Sequence, residues 1–288
     1  MTGYFSPLRY PGGKAKLTNY IAEIMKINDL VGCCYVEPYA GGAGIAMSLL
    51  LTKKVKQVFL NDINQSVYSF WYSVLHQPED LCRLIKDTPV DMDQWYKQQE
   101  IQSQLEMHDA LEIGFSTFFL NRTNRSGIIH KSGVIGGKNQ DGKWKIDARF
   151  NKDALIQRIE KIASFSSKIS LSKLDAVDFI NDVLPDVPKK ALIYFDPPYY
   201  VKGQGLYQNH YVHEDHEEIS KLIKQKIKQE WVVSYDNVPE IKKLYKNLRQ
   251  LEFTLNYSAR NYYKGTEVMV FKNGMQIPEE QDPLKTAA

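Results

Sequence analysis

The stretch ALIYFDPPYY, residues 191–200, decides the fold that we predict for this chain. Its first half, Ala191–Phe195, is an uninterrupted apolar run with the length and composition of a strand buried on both faces. In open α/β sheets, ligands bind in a crevice at the carboxyl ends of such strands. The sequence therefore predicts an α/β fold in which Asp196 faces a ligand-binding crevice.

The loop after this strand is stiffened by two prolines. Pro197 and Pro198 each fix a φ angle and lack an N–H, so the backbone groups that they offer are carbonyls. Asp196 and the Pro197 carbonyl could both accept hydrogen bonds from one amino group, and Tyr199 could stack on the ring that carries it. We predict that Asp196, Pro197, Pro198 and Tyr199 form a catalytic site for an exocyclic amine. The alternative is a strand that ends in a simple proline turn.

A glycine-rich turn upstream is predicted to bind a cofactor. The segment YVEPYAGGAG, residues 35–44, is typical of a strand that leads into a turn where a ligand can press against the backbone. Glu37, Ala40 and Gly41 are its candidate cofactor contacts. The turn departs from GxGxxG, and no GxxxxGK[ST] motif follows it, which disfavours a dinucleotide site and an NTPase site.

Acidic residues follow the next two predicted strands. Asp62 comes after the strand predicted at 57–60, where a carboxylate can accept hydrogen bonds from two ribose hydroxyls. Asp175 ends the strand predicted at 168–174 and is the candidate acceptor for the adenine amine of a cofactor, ahead of Asp178. For both Asp62 and Asp175 the alternative role is capping of the following helix.

Length and composition indicate an ordinary protein with one large core. The chain has 288 residues, of which 43% are hydrophobic, and its apolar runs are shorter than the ~20 residues of a membrane-spanning helix. No apolar signal sequence stands at the N-terminus, so we expect a cytoplasmic protein. Three cysteines without a CxxC motif indicate neither disulfides nor a zinc site. The net charge of +3 is too small to identify a partner.

The middle of the chain is predicted to be an insertion. Residues 77–162 separate two predicted parts of the sheet and are far longer than the ~10–12 residues that a crossover needs. We therefore predict a catalytic domain formed by residues 1–76 and 163–276, a mainly helical insertion at 77–162, and a disordered polar tail at 277–288. A hairpin is predicted around residues 139–143.

This insertion carries the residues best suited to contact DNA. Residues 122–161 include ten basic and four acidic residues, a local net charge of +6. Within NRTNRSG, residues 121–127, arginine can bind guanine bidentately and asparagine can bind adenine in the same way. The candidate DNA contacts are Arg122, Asn124, Arg125 and His130. A solvated surface and a structural turn are the alternatives for these residues.

Together these motifs resemble the Dam-type, or alpha group, D12 class of site-specific DNA adenine-N6 methyltransferases. The resemblance rests on SPLRYPGGK at residues 6–14, on the glycine-rich turn, on the position of the insertion and on Asp-Pro-Pro-Tyr. It implies a Rossmann-like sheet that depends on S-adenosylmethionine, with an inserted target-recognition domain. It also implies that Tyr10 and Lys14 flank the bound cofactor, with Lys14 on the methionyl carboxylate or orienting Asp196, which itself lines the cofactor site.

The activity implied by this resemblance is methyl transfer from S-adenosylmethionine to N6 of a flipped-out adenine in double-stranded DNA, without a metal. A bacterial or phage origin and a companion restriction endonuclease are compatible with it. Arg125 stands where GATC-recognising members carry an intercalating aromatic residue, and His130 replaces a later arginine, which disfavours a GATC target. We also expect residues 200–213 to form a flap over the flipped base.

Three alternative functions share parts of this pattern. Cytosine-N4 methyltransferases use the same site, although they more often have Ser before Pro-Pro-Tyr. Methylation of structured RNA would use the same motif. A DNA-binding regulator could retain the cofactor pocket without catalysis.

Overall fold

The computed structural model describes residues 5–9, 14–130, 132–201, 211–257, 263–279 and 282–286. These residues form a seven-stranded sheet. Its strands are β1 Cys34–Glu37, β2 Gln57–Asn61, β3 Ile169–Ser172, β4 Ala191–Phe195, β5 Glu230–Asp236, β6 Arg249–Tyr257 and β7 Tyr263–Phe271.

The strand order places a ligand crevice between β1 and β4. The order is β3-β2-β1-β4-β5-β7-β6, in which β1 to β5 are parallel and β7 runs antiparallel to both of its neighbours, β5 and β6. The chain first extends the sheet from β1 towards β3 and then returns to add β4 beside β1. Connections therefore leave β1 and β4 in opposite directions, and a crevice opens at the carboxyl ends of these two strands. This topology confirms the predicted α/β, Rossmann-like methyltransferase sheet.

Helices cover both faces of the sheet. They are α1 Thr18–Ile27, α2 Gly44–Leu51, α3 Gln65–His76, α4 Pro78–Asp87, α5 Met92–Ser103, α6 Ala110–Thr123, α7 Lys152–Ala163, α8 Ala176–Asp178, α9 His213–Lys226 and α10 Pro239–Leu244. Asn64, Asp109 and Asn151 set the starts of α3, α6 and α7, because their side chains accept hydrogen bonds from first-turn N–H groups. Among the described residues, no helix is both long enough and apolar enough to cross a membrane.

The buried residues form two clusters, one on each face of the sheet. Alternate residues of β4 point to opposite faces, so Leu192 and Tyr194 belong to one cluster and Ile193 and Phe195 to the other. The first cluster includes residues of α1 to α7, and the second includes residues of α8 to α10. Because both faces are covered, every residue of β4 is buried.

The helices of the middle segment share the first cluster with the sheet. Phe118 of α6 stacks on Phe70 of α3 at a centroid distance of 6.0 Å, and Phe150 lies 5.4 Å from Phe118. All three rings are buried in the same cluster as Tyr194 of β4. A continuous core therefore fixes the position of the NRTNRSG loop, at the end of α6, relative to the sheet.

One local prediction is wrong. Residues 135–140 form consecutive turns instead of a hairpin, because the segment lacks the alternating apolar residues that would bury one face of a strand pair. The predicted disorder of the tail at 277–288 stays a prediction, and among its described residues Ile277 and Leu284 pack against the first cluster. Apolar side chains in a polar tail gain by burial. Most of the predicted flap, residues 202–210, lies outside the described residues.

Candidate active site

Asp196 lies directly after β4, at the crevice between β1 and β4. The Ser234 hydroxyl of β5 donates a hydrogen bond of 2.9 Å to Asp196 Oδ1 and lies 2.8 Å from the Tyr194 hydroxyl. Lys14 Nζ is 3.3 Å from the same carboxylate oxygen, and 27% of the Asp196 side chain is exposed. Among the described residues both partners contact Oδ1, so Oδ2 retains the capacity to accept a hydrogen bond.

Lys14 lies at the centre of a buried polar network. Its Nζ donates to Glu267 Oε1 at 2.8 Å, to Glu267 Oε2 at 2.6 Å and to the Tyr199 hydroxyl at 3.0 Å. The Tyr199 hydroxyl donates in turn to Glu267 Oε1 over 2.8 Å. The side chains of Lys14 and Glu267 are 4% and 0% exposed. The Lys14 ammonium therefore contacts the carboxylates of Asp196 and Glu267 and the hydroxyl of Tyr199.

Burial and charge act in opposite directions on the acid–base groups of this network. Burial alone would lower the pKa of Lys14, but the carboxylates of Asp196 and Glu267 outweigh it and raise that pKa well above its ordinary value. Burial raises the pKa of Asp196, and Lys14 and Ser234 limit the rise. Burial also raises the pKa of Glu267. Lys14 therefore stays protonated at neutral pH, and both acids share its charge.

Strand pairing brings Glu267 to the site. Glu267 of β7 pairs with Asp236 of β5 in the antiparallel register. The Asp236 carboxylate accepts hydrogen bonds from the backbone N–H groups of Tyr200 and Val201, at 2.9 and 3.0 Å, and so holds the chain that follows Tyr199. Glu267 was not among the site residues predicted from the sequence. The signal was an acid that begins the apolar run EVMVF, because a buried acid in a strand needs a charged partner.

The glycine-rich turn and Asp62 lie together at the ends of β1 and β2. The Gly41 N–H donates to Asp62 Oδ2 over 2.8 Å, and the Asn64 N–H donates to Asp62 Oδ1 over 2.9 Å. Gly41 has a φ of +46°, a conformation that glycine adopts without strain, and Ala40 beside it is buried. Burial raises the pKa of Asp62 to about 6. Because the cap of α3 is Asn64, the capping alternative for Asp62 is wrong.

Glu37 supports this turn from inside the protein. It is 5% exposed, and its Oε1 accepts a hydrogen bond of 3.2 Å from the Ala46 N–H in the first turn of α2. Burial raises the pKa of Glu37 to about 8, although interactions with the Tyr35 side chain and the Ala46 N–H oppose the rise. Glu37 thus fixes the start of α2 directly behind the glycine-rich turn.

Asp175 and Tyr10 are two further predicted cofactor contacts. Asp175 is half-buried, and its Oδ1 caps α8 by accepting a 2.8 Å hydrogen bond from the Val177 N–H, while Asp178 is exposed. A contact of Asp175 with a cofactor amine stays a prediction. Tyr10 lies outside the described residues. No group of three or more His, Cys, Asp or Glu side chains in the described ranges could hold a metal ion.

Hydrogen bonds join the NRTNRSG loop to Arg9, which lies shortly before Lys14 in the chain. The Asn121 amide donates to the carbonyls of Arg9 and Gly127, at 2.7 and 2.8 Å, and accepts a 2.7 Å hydrogen bond from the Arg9 N–H. The Arg9 guanidinium donates to the Asn124 carbonyl at 3.2 Å. These bonds connect two segments that are far apart in sequence and position the loop beside Arg9.

Asn124 has a structural role, which corrects its prediction as a base contact. It is fully buried, and its Oδ1 accepts a 2.7 Å hydrogen bond from the indole of Trp95. Its amide nitrogen donates to the carbonyls of Ile128 and Ile129, at 2.8 and 3.1 Å. A buried amide whose oxygen and nitrogen are both engaged has no group left to read a base.

The other predicted DNA contacts remain accessible to different degrees. Arg125 is exposed, and His130 is half-buried. Arg122 is half-buried, and its Nε has no hydrogen-bond partner among the described residues. Burial, and then the charges of Arg9, Arg158 and Arg149, lower the pKa of Arg122 to about 9. Arg9, Arg122, Arg149 and Arg158 thus lie near one another, and none of the four forms an ion pair with another described residue.

We expect the substitution Gly127→Ala to destabilise the protein. Gly127 has a φ of +74°, and a Cβ there would lie 2.1 Å from the Arg9 carbonyl oxygen. Overpacking and the left-handed conformation together should lower the free energy of unfolding by roughly 2–5 kcal/mol. Urea unfolding followed by circular dichroism measures the change. Gly133→Ala, six residues further along the chain, is the matched control, because a Cβ there meets nothing within 4 Å. Equal stability of both variants would contradict the close packing of Gly127 against Arg9.

Comparisons with known proteins agree with these features. Residues 10–260 match the family described as D12 class N6 adenine-specific DNA methyltransferase. The type II methyltransferase M1.LlaDCHI of Lactococcus lactis subsp. cremoris is 23% identical over 287 residues, which cover 92% of this chain and 94% of that protein. The type II methyltransferase M.MjaIII of Methanocaldococcus jannaschii is 23% identical over 209 residues, which cover 67% of this chain and 68% of that protein.

Solved structures give a weaker likeness. PH1948 of Pyrococcus horikoshii has a TM-score of 0.44 and 12% identity, over 92% of this chain and 85% of that one. TrmK of M. capricolum, in complex with S-adenosyl-homocysteine, has a TM-score of 0.36 and 10% identity, over 87% of this chain and 68% of that one.

Proposed function

The chain belongs to the D12 class of N6 adenine-specific DNA methyltransferases, and we propose that it methylates a flipped-out adenine of duplex DNA through an amine-holding site at Asp196. The observation that carries this proposal is the Asp196 carboxylate, which is held on one oxygen by Lys14 and Ser234 at the crevice between β1 and β4. Three alternatives lose support because the family is adenine-specific and methylates DNA. They are cytosine-N4 methylation, RNA methylation and regulation without catalysis.

The residues at the ends of β1 and β2 fit S-adenosylmethionine. Asp62 is half-buried, and each of its oxygens accepts one backbone N–H, so each can still accept a ribose hydroxyl. Ala40 and Gly41 would present backbone to the cofactor, and Asp175 would accept from its adenine amine. When bound, S-adenosylmethionine supplies a methyl group made electrophilic by the sulfonium charge. Glu37 and Trp71 would hold the turn in place, since Trp71 donates a 2.9 Å hydrogen bond to the Gly41 carbonyl.

Asp196 and the Pro197 carbonyl would orient the target amine. The N6 lone pair of adenine is normally delocalised into the ring, and hydrogen bonds to both N6 hydrogens favour a pyramidal nitrogen that can attack the methyl carbon. A new N–C bond would replace the S–C bond of the methyl group, which would leave S-adenosylhomocysteine, and the product ammonium would then lose a proton to Asp196 or to water. Because that ammonium is acidic, no strong base is needed, and alignment and electrostatics provide most of the rate.

Glu267 would act as a positioning residue for this site. It accepts hydrogen bonds from both Lys14 and Tyr199, and Lys14 in turn lies 3.3 Å from Asp196. Glu267 would therefore keep Lys14 protonated beside Asp196 and fix the Tyr199 ring against which we expect the flipped adenine to stack. Flipping itself costs about a few kcal/mol, which contacts with DNA must offset.

The type II names of the two relatives favour a role in restriction–modification, in which a companion endonuclease would cut the same unmethylated site.

Methyl transfer from tritiated S-adenosylmethionine to duplex DNA tests the proposal directly. After digestion to nucleosides, we expect the label in N6-methyladenine, and long-read sequencing of that DNA would give the recognition sequence. Label in N4-methylcytosine would refute adenine as the target. Transfer to structured RNA that duplex DNA does not compete away would refute DNA as the substrate.

Replacement of Arg125 by alanine should relax the choice of DNA sequence. Arg125 is exposed on the NRTNRSG loop, and one bidentate arginine–guanine contact is worth roughly 1–3 kcal/mol, or about 5- to 150-fold in discrimination. The measurement is the ratio of kcat/KM on the cognate site to kcat/KM on sites with one altered base pair. Arg83→Ala is the control, because that arginine is exposed on α4 and paired with Asp80. An unchanged ratio in Arg125→Ala would refute a recognition role.

A further inference from the structure

Trp144 differs from the other tryptophans of this protein. The chain has four tryptophans, and Trp71, Trp95 and Trp231 are 0%, 3% and 2% exposed. Trp144 is 63% exposed. A large aromatic side chain gains more than most from burial, and tryptophan at a protein surface is characteristic of binding interfaces. The exposure of Trp144 therefore needs a reason beyond the fold.

The turn that carries Trp144 is held rigidly. The Gln140 side-chain amide donates to the carbonyls of Ile135 and Gly137, at 2.8 and 2.7 Å, and accepts a 2.8 Å hydrogen bond from the Ile146 N–H. At Gly136, whose φ is +88°, a Cβ would lie 2.7 Å from the Trp144 carbonyl oxygen, so these two backbones are in close contact. Trp144 is therefore presented to solvent by a fixed backbone, and binding would not have to order it first.

Both ends of this turn are anchored in the first cluster of the core. Val134 is 1% exposed and Ile146 is 6% exposed. Val134 also forms an antiparallel bridge with Asn124, and the Arg125 N–H donates to the Gly133 carbonyl over 2.9 Å. The Trp144 turn is thus directly joined to the NRTNRSG loop, which carries the exposed Arg125.

The surroundings of Trp144 are cationic. Lys143 and Lys145 are exposed on either side of it, and Lys143 Nζ lies 5.8 Å from the centroid of the indole ring. Arg149 is exposed further along the same segment. Within the part of the chain that the structure describes, none of these three cations forms an ion pair. Lys145 Nζ donates a 2.6 Å hydrogen bond to the Gln140 carbonyl, which leaves Lys143 as the cation beside the indole that is open to a phosphate. An exposed aromatic ring next to such a cation matches a nucleic acid, which offers bases, sugars and phosphates side by side.

We propose that Trp144 and Lys143 form a second contact with duplex DNA, separate from base reading by the NRTNRSG loop. The indole packs on a deoxyribose or a base, and Lys143 binds a flanking phosphate. This inference rests on the proposed function, since it takes the methylated duplex as the ligand. It places the rigid turn against the DNA next to the segment read by Arg125.

Tryptophan fluorescence gives a direct test, because Trp144 is the exposed member of four. Acrylamide quenching should be strong in the free protein and should fall when a duplex that contains the methylation site is added. The Trp144→Phe variant should show weak quenching and no response to DNA, since its three tryptophans are buried. A DNA-induced change of the same size in that variant would overturn the proposal.

Binding measurements separate the contributions of the ring and the charge. Trp144→Ala should weaken duplex binding roughly 5- to 150-fold, as for loss of one stacked base, and Trp144→Phe should weaken it less. Lys143→Ala should reduce the slope of log Kd against log salt by about 1. The control is Val31→Ala, which alters an exposed apolar residue in the turn before β1, at the amino end of that strand and away from the crevice at its carboxyl end. Thermal unfolding should be unchanged in all four variants.

The outcomes distinguish this inference from the proposed function. If Trp144 stays open to acrylamide while DNA binds and is methylated, the inference fails and the methyltransferase stands. If the wild-type protein neither binds nor methylates duplex DNA, the proposed function fails as well. Protection that follows protein concentration instead of DNA concentration would mean that a second copy covers Trp144, and this result also overturns the inference.

Discussion

Replacement of Asp196 by alanine should lower kcat by about 1,000-fold while DNA affinity changes by less than about threefold. In the mechanism that we propose, the carboxylate accepts hydrogen bonds from the target amine, and it acts on an adenine that has already left the duplex. DNA affinity depends mainly on phosphate and base contacts elsewhere. Single-turnover methyl transfer measures the first quantity, and a filter-binding or fluorescence-anisotropy titration with the same duplex measures the second.

Graded substitutions around Asp196 make this prediction sharper. Asp196→Asn keeps the shape and one acceptor oxygen, so its loss should be large but smaller than that of alanine. Ser234→Ala removes the 2.9 Å hydrogen bond to Asp196 Oδ1 and should lower kcat about 10-fold, because the carboxylate is less well oriented. The loss of kcat should be largest in Asp196→Ala, smaller in Asp196→Asn and smallest in Ser234→Ala. Equal loss of methyl transfer and DNA binding in Asp196→Ala would mean that Asp196 is structural.

Glu267→Gln should have the second largest effect, with kcat reduced roughly 100-fold. The amide cannot repeat the contacts of the carboxylate, because its NH₂ group would face the Lys14 ammonium, which lies 2.8 and 2.6 Å from the two carboxylate oxygens. Removal of one partner of a buried ion pair should also lower the free energy of unfolding by roughly 3–5 kcal/mol. Urea unfolding and single-turnover transfer at low temperature measure both effects.

A pH profile separates positioning from simple loss of stability. Burial lowers the pKa of Lys14, and the charges of Asp196 and Glu267 raise it, so removal of the Glu267 charge must lower that pKa. In Glu267→Gln, Lys14 then loses its proton at a lower pH than in the wild type. The variant should therefore be closest to wild type at low pH and should fall further behind as the pH rises. A deficit that is constant across pH would contradict this role.

Two further variants serve as controls for Glu267. Glu252→Gln alters the other acid of the β6–β7 hairpin, which is exposed and bonded to Lys242 at 2.6 Å, and it should leave kcat unchanged. The double change Lys14→Met with Glu267→Leu replaces the buried pair by apolar groups, which often restores stability. We expect it to recover folding without recovering methyl transfer. Recovery of both would show that the pair is structural.

Much of the sheet could be predicted from short-range pattern. The apolar run Ala191–Phe195 is β4 at its predicted limits, and the strand predicted at 57–60 is β2 with one residue added. A strand buried on both faces must be apolar throughout, so its limits can be read directly in the sequence. The position of Asp196 at the crevice follows from the same pattern.

Loop chemistry was harder to predict. Asn124 is of a residue type that reads bases, but its buried bonds with Trp95 and two carbonyls give it a structural role. Asn64, and not Asp62, caps α3, although both types of residue favour that position. A polar side chain in a loop has several partners within reach, and the packing around it decides which of them it takes.

The sequence by itself determined the α/β fold, the crevice and the site motifs, because strand burial, turn residues and a proline-stiffened loop depend on neighbours within a few positions. The tertiary structure decided that the carboxylates of Asp196 and Glu267 both pair with the Lys14 ammonium. Glu267 is 253 positions from Lys14 and reaches it only through the pairing of β7 with β5. Which charged side chains come together depends on strand order and register across the whole chain. A local sequence pattern does not specify that order.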